Sequence, residues 1–177
     1  LDEKFLILKY EKDFFTISNT VRVFYKNIIA CRLDEKPNYK IENKLIRTLK
    51  SFLINKDINL SLLSELLSMP NFAEIESEME NIDPLKIYKT IDELNNLFGS
   101  KLKKELYFKL KEIEKNLHKV WPEGKHERKL IETVWKLLLH SNDEEIKRKI
   151  IVYVESNSMT LAKAALNSIS RIDCPER

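Results

Sequence analysis

Glycine occurs only twice in these 177 residues, and proline five times. That scarcity limits the fold more than any motif does. Tight hairpin turns, dinucleotide-binding turns and phosphate-cradling loops all need residues at positive φ, where glycine fits best. Without glycine, the chain is expected to build itself from helices. The abundance of Lys, Glu, Leu and Ile points the same way. With 43% hydrophobic residues it can assemble a core, and with 33% charged residues it can keep a solvated surface. The length suits one domain, residues 1–177.

Apolar residues recur at helical spacing along nearly the whole chain. Ile17, Val21, Phe24 and Ile28 form one stripe, and Ile41, Leu45, Leu49 and Phe52 another. Leu60, Leu63, Leu66 and Leu67 follow and stop at Met69-Pro70. Tyr88, Ile91, Leu94 and Leu97 predict a helix ending near Gly99-Ser100, and Leu102, Leu106, Leu110, Ile113 and Leu117 predict a second one after it. The last stripes are Leu130, Val134, Leu137 and Leu138, then Ile146, Ile150 and Val154, then Ala162, Ala165, Leu166 and Ile169. Asp83-Pro84 reads as an N-cap followed by proline at the first helical position, where its missing N–H costs nothing. Asn71, Ser141 to Asp143 and Ser156 to Ser158 read as further caps or turns. Short links between amphipathic helices predict an all-α array of stacked antiparallel pairs, an armadillo- or HEAT-like solenoid segment.

Net charge is +3, with basic and acidic residues interleaved, so no nucleic-acid footprint is expected. No apolar run approaches the ~20 residues that cross a bilayer, and no signal peptide is visible. A cytoplasmic location is the expectation. Cys31 and Cys174 have no metal-ligand spacing and are expected to be reduced thiols. The chain begins at Leu1 and ends at Cys174-Pro175-Glu176-Arg177, which reads as a segment of a larger protein.

Chemical candidates are few. Met79-Glu80-Asn81, followed later by His126-Glu127-Arg128-Lys129-Leu130, imitates the amine-binding and zinc-binding strings of a metallopeptidase. Such a site needs two imidazoles one helical turn apart with a glutamate as general base. Ser77-Glu78 stands where a glycine should precede Met79, and Leu130 replaces the second histidine, so position 130 is expected to face the core. The first string then reads as the polar end of a short helix. His118 and His140 read as cations near helix C-termini, and Trp121 and Trp135 as packing anchors. Lys101, Lys103, Lys104, Lys109 and Lys111, with Glu105, Glu112 and Glu114 between them, predict a solvated, ion-paired helix face. No catalytic residue and no metal ligand are assigned.

The ordered set of punctuation marks is more informative. Leu67-Ser68-Met69-Pro70, a short acidic segment, Ile82-Asp83-Pro84 and a long paired helix resemble the C-terminal helical domain of the aminopeptidase N family, in its bacterial and protozoan branch. Asn157-Ser158-Met159-Thr160 with Ala162, Ala164, Ala165 and Leu166 resembles that family's Asn-x-Met-Thr helix start. Asp13-Phe14-Phe15 resembles its Asp-x-Phe entry, and Cys174 falls where such proteins often carry a cysteine. The residues that carry the resemblance are therefore Pro70, Ile82, Asp83, Pro84, Asn157, Met159 and Thr160, in structural roles. Ile17-Ser18-Asn19, Arg22 and Leu161 depart from the family pattern, which bears on contacts with a catalytic domain.

The resemblance implies a zinc-dependent aminopeptidase whose zinc and amine-binding glutamates lie in an upstream domain of the same polypeptide. This segment would close over that site and shape the access of peptide substrates, with no cofactor of its own. A free-standing interaction scaffold of the armadillo or HEAT kind is the alternative.

Overall fold

A computed structural model gives the fold, and it describes residues 2–77, 83–119 and 122–170. Among the described residues there are nine helices and no strand. They are α1 (Asp2–Tyr10), α2 (Phe14–Leu33), α3 (Tyr39–Ile54), α4 (Leu60–Leu67), α5 (Phe72–Glu76), α6 (Pro84–Glu114), α7 (Lys125–His140), α8 (Glu144–Val154) and α9 (Met159–Ile169). The all-α expectation holds.

Six of these helices start on an Asn or Asp whose side chain accepts from a first-turn N–H: Asp13, Asn38, Asn59, Asn71, Asp83 and Asp143. Each satisfies an amide that the helix itself cannot, a contribution of about 1 kcal/mol. Asp83 caps α6 through Leu85 N–H at 2.9 Å, with Pro84 beginning the first turn, as the sequence predicts. Ser158 takes the N-cap position of α9 without a side-chain cap bond. α7 instead starts after Gly124, whose φ of 68° suits glycine, and whose Cβ would meet the Asn116 carbonyl oxygen at 2.4 Å.

Two expectations from periodicity are corrected. The break expected at Gly99-Ser100 is absent, and α6 runs unbroken for 31 residues. Gly99 is there because α7 lies against it: a Cβ at position 99 would sit 2.1 Å from the Leu137 carbonyl oxygen. The stripes on α6 and α9 are also rotated. In α6 the buried face is Ile87, Ile91, Leu94, Asn95, Phe98, Gly99 and Leu102, while Tyr88 is 46% exposed. In α9 it is Leu161, Ala164, Ala165, Ser168 and Ile169, while Leu166 points outward. Small and polar residues take places on the buried face that large apolar residues alone do not mark.

One hydrophobic core runs through the array, from Val21, Phe24 and Ile28 through Leu49 and Leu63 to Leu102, Val134 and Leu138. Each such side chain contributes roughly 1.5–3 kcal/mol by leaving water. Helix α7 is central: it packs on α4, α6, α8 and α9. Tyr25, fully buried, donates from its hydroxyl to the Leu66 carbonyl at 2.8 Å and so satisfies one terminal carbonyl of α4. Burial pushes that hydroxyl's pKa well above its ordinary value, so it stays a donor.

Candidate functional site

The residues that carry the sequence resemblance fall at two corners of the fold. Pro70 is buried in the connection from α4 to α5, and Asp83 and Pro84 open α6. Ile82 lies outside the described residues, as do Met79, Glu80, Asn81, Trp121 and Cys174. Asn157, Met159 and Thr160 form the turn into α9, where Met159 is 85% exposed. Both groups act at helix starts, and the two groups do not converge on a shared cavity in the described structure.

The second corner carries a polar cavity of about 660 Å³, lined by His118, Lys119, Arg128, Asn157, Ser158 and Thr160 among others. Arg128 builds its wall. Its Nη1 donates to the carbonyls of Leu117 (3.2 Å) and Lys119 (2.8 Å), and its Nη2 donates to that of Glu123 (3.0 Å). The guanidinium thereby holds the turn that follows α6 against the first turn of α7. His118 belongs to this turn rather than to a helix end, and its ring stacks on Tyr153 at 6.3 Å. The polar lining groups are basic, hydroxylic or, at Asn157, a carboxamide.

Of the two strings that imitate a metallopeptidase, the described residues include only the one at His126. Leu130 is fully buried, as expected, so the turn of α7 after His126 offers no second ligand. His126 Nδ1 instead meets Ser61 Oγ at 2.6 Å, beside a Lys129–Glu65 ion pair at 2.7 Å, and both contacts join α7 to α4. Among the described residues no group of three or more His, Cys, Asp or Glu side chains could hold a metal ion. Cys31 is a half-buried free thiol. Trp135 is a packing anchor, fully buried with its ring 5.0 Å from that of Tyr153. His140 ends α7 and is buried.

The expected solvated lysine face of α6 needs correction. Lys109 has no exposed side-chain surface, and its Nζ donates to Glu112 (2.9 Å) and to the Asn55 carbonyl (3.3 Å) at the end of α3. Other charges on α6 pair across helices: Glu105 with Lys50 (3.1 Å), and Lys103 with Asp143 (2.8 Å). Alternating charge along a sequence does not say which partners lie on a neighbouring helix. Arg22, a departure from the family pattern, pairs with Glu74 and lies 4.0 Å from Glu65, tying α2 to α4 and α5.

Asp143 concentrates several of these interactions. It caps α8 through Ile146 N–H (3.2 Å) and accepts from the Tyr107 hydroxyl (2.8 Å) and Lys103 Nζ (2.8 Å). Burial works against its ionisation, but the hydrogen bonds from Lys103, Tyr107 and Ile146 outweigh it, and the carboxyl titrates below its usual range. A carboxyl lowered in the folded state contributes stability above its unfolded pKa, near 4, and loses it as pH falls through the folded value. Asp143→Asn keeps a cap but removes the charge. It should cost about 1–3 kcal/mol at neutral pH, and urea unfolding should show this difference shrinking as the pH falls below 4.

The architecture defines a helical-repeat domain, and comparison with known proteins places it. The family described as "Domain of unknown function (DUF3458_C) ARM repeats" matches residues 1–177, and the chain belongs to that family. Among solved structures its fold is similar to that of Legionella pneumophila aminopeptidase A, solved in complex with aspartic acid, with a TM-score of 0.83 and 18% sequence identity. That match covers 98% of this chain and 22% of the Legionella chain, so this chain spans less than a quarter of that protein's length. No curated protein matches it. The family model and the structural match agree with the helical-repeat fold that the resemblance implies. Among the described residues no helix is long and apolar enough to cross a membrane.

Proposed function

We propose that this chain is a non-catalytic helical domain of a zinc-dependent aminopeptidase, one that removes N-terminal residues from peptides. The observation that carries this reading is the fit of nearly the whole chain, at a TM-score of 0.83, onto a minor part of an aminopeptidase. In this reading the domain has a positioning role. It closes over the reaction chamber, limits which peptides enter and keeps bulk water from the chemistry. Its partner is the upstream catalytic domain of the same polypeptide, and the zinc is held there. The cytoplasm is the proposed compartment.

Two measurements test this. The purified 177-residue chain should bind no stoichiometric zinc by metal analysis after dialysis and should leave aminoacyl-arylamide substrates uncleaved. Zinc-dependent turnover by the chain alone would overturn the division of labour. Reading the gene upstream of Leu1 separates this proposal from a free-standing scaffold: the enzyme requires Gly-x-Met-Glu-Asn and His-Glu-x-x-His there.

A further inference from the structure

Asn95 is the polar side chain that the fold leaves least explained. It sits on α6 one turn before Gly99, is 1% exposed, and lines a recess of about 200 Å³ with Ser68, Met69, Glu132, Thr133 and Leu137. Its Nδ2 is buried and has no hydrogen-bond partner. The neighbouring hydroxyls do have protein partners: Ser68 Oγ donates to the Ser64 carbonyl at 2.7 Å and lies 3.4 Å from Thr133 Oγ1. An unmatched buried amide is costly, and buried polar groups in folded chains are nearly always paired. Leu would fill the same position in the stripe without that cost.

We propose that the Asn95 recess is a binding site for an amide: the carboxamide of an Asn or Gln side chain, or a peptide unit. A carboxamide presents a donor and an acceptor side by side, and another amide answers both at once. A carboxylate could answer only the donor and an ammonium only the acceptor. Glu132 and Lys136, one turn apart on α7, bring one charge of each sign to the recess. The volume admits a group of a few heavy atoms and excludes a large ligand. One turn further along α6, the close approach at Gly99 holds α7 against α6. This site does not depend on the enzymatic reading above.

The test is a titration of the 15N-labelled chain followed by NMR. The Asn95 side-chain NH2 signals are assigned by their loss in Asn95→Leu. Acetamide represents a side-chain carboxamide, N-acetylglycine N-methylamide represents a main chain, and acetate and methylammonium serve as ionic controls. A saturable shift of the Asn95 NH2 signals and of the Thr133 and Leu137 backbone amides is expected with an amide and with neither ion. The probe that saturates at lower concentration identifies the source. In Asn95→Leu the saturable component at Thr133 and Leu137 should vanish, while the urea midpoint is kept or raised, because an apolar group of similar size replaces an unpaired amide. Purely linear shifts with both amides, as expected of a recess occupied by water alone, would overturn the proposal. Equal responses to acetate or methylammonium would do so too. The Thr133 and Leu137 backbone amides, assigned in the wild type itself, separate these outcomes even if the variant fails to fold.

Discussion

Gly99→Ala is expected to destabilise the chain by about 2–4 kcal/mol, although alanine is the better helix former by about 1 kcal/mol. The added methyl would lie 2.1 Å from the Leu137 carbonyl oxygen and 3.1 Å from its carbonyl carbon. Both are main-chain atoms of α7, so no side-chain rotation relieves the overlap. The two helices must part, and α7 cannot shift alone because it also packs on α4, α8 and α9. Urea unfolding should show a lower midpoint at an unchanged slope, the sign of lost stability rather than of an altered unfolded state. A variant as stable as the wild type would mean that α6 and α7 are further apart than described. Gly99→Ser should behave similarly, since its Cβ takes the same place.

Arg32→Ala is the second large effect, about 3–5 kcal/mol, with the lower end favoured because the arginine side chain keeps 19% exposure. Arg32, in the last turn of α2, holds Glu42 of α3 in a two-pronged contact, Nε to Oε1 at 2.8 Å and Nη2 to Oε2 at 2.9 Å. Glu42 is only 2% exposed, so removing the guanidinium leaves a buried carboxylate without its counter-charge. The attraction itself is not what makes the loss large; the stranded charge is. Replacing both partners, Arg32→Met with Glu42→Leu, should therefore recover most of the stability that Arg32→Ala loses. Thermal and urea unfolding of the three proteins decide the matter. If the double variant is as unstable as the single one, the pair is a net contributor to stability in its own right.

These two sites show which features are legible in a sequence and which need the fold. Elements with a local cause are legible. Asp83-Pro84, Asn71 and Asp143 start helices because a short polar side chain reaches its own first turn, a fact contained in a few adjacent residues. Leu130 is legible as a core position because helical period alone sets its face. Partners distant in sequence are not. Gly99 looks like a terminator because a glycine beside a serine commonly ends a helix, and only the approach of α7 reveals the other reason for a missing Cβ. Lys109 reads as one of a solvated group, yet it falls on the stripe of Leu102, Leu106, Leu110 and Ile113 and follows them inward. A lysine or asparagine on an apolar stripe, such as Lys109 or Asn95, is the available signal for an unusual buried group. The polar cavity beside α9 joins Arg128 to Asn157 and Thr160 through packing alone, so spacing could mark the helix start there but not the wall opposite it.

The central position of α7 bears on how such a domain comes apart. In an ideal solenoid each repeat touches only its neighbours, so end repeats can fray while the middle stays folded. Here one sixteen-residue helix contacts α4 from the first half of the chain, α6 before it, and α8 and α9 after it. Loss of α7 exposes the inner faces of both halves at once. The array is therefore expected to melt as one unit, with its slowest-exchanging amides in α7 rather than in the longest helix, an outcome that native-state hydrogen exchange checks.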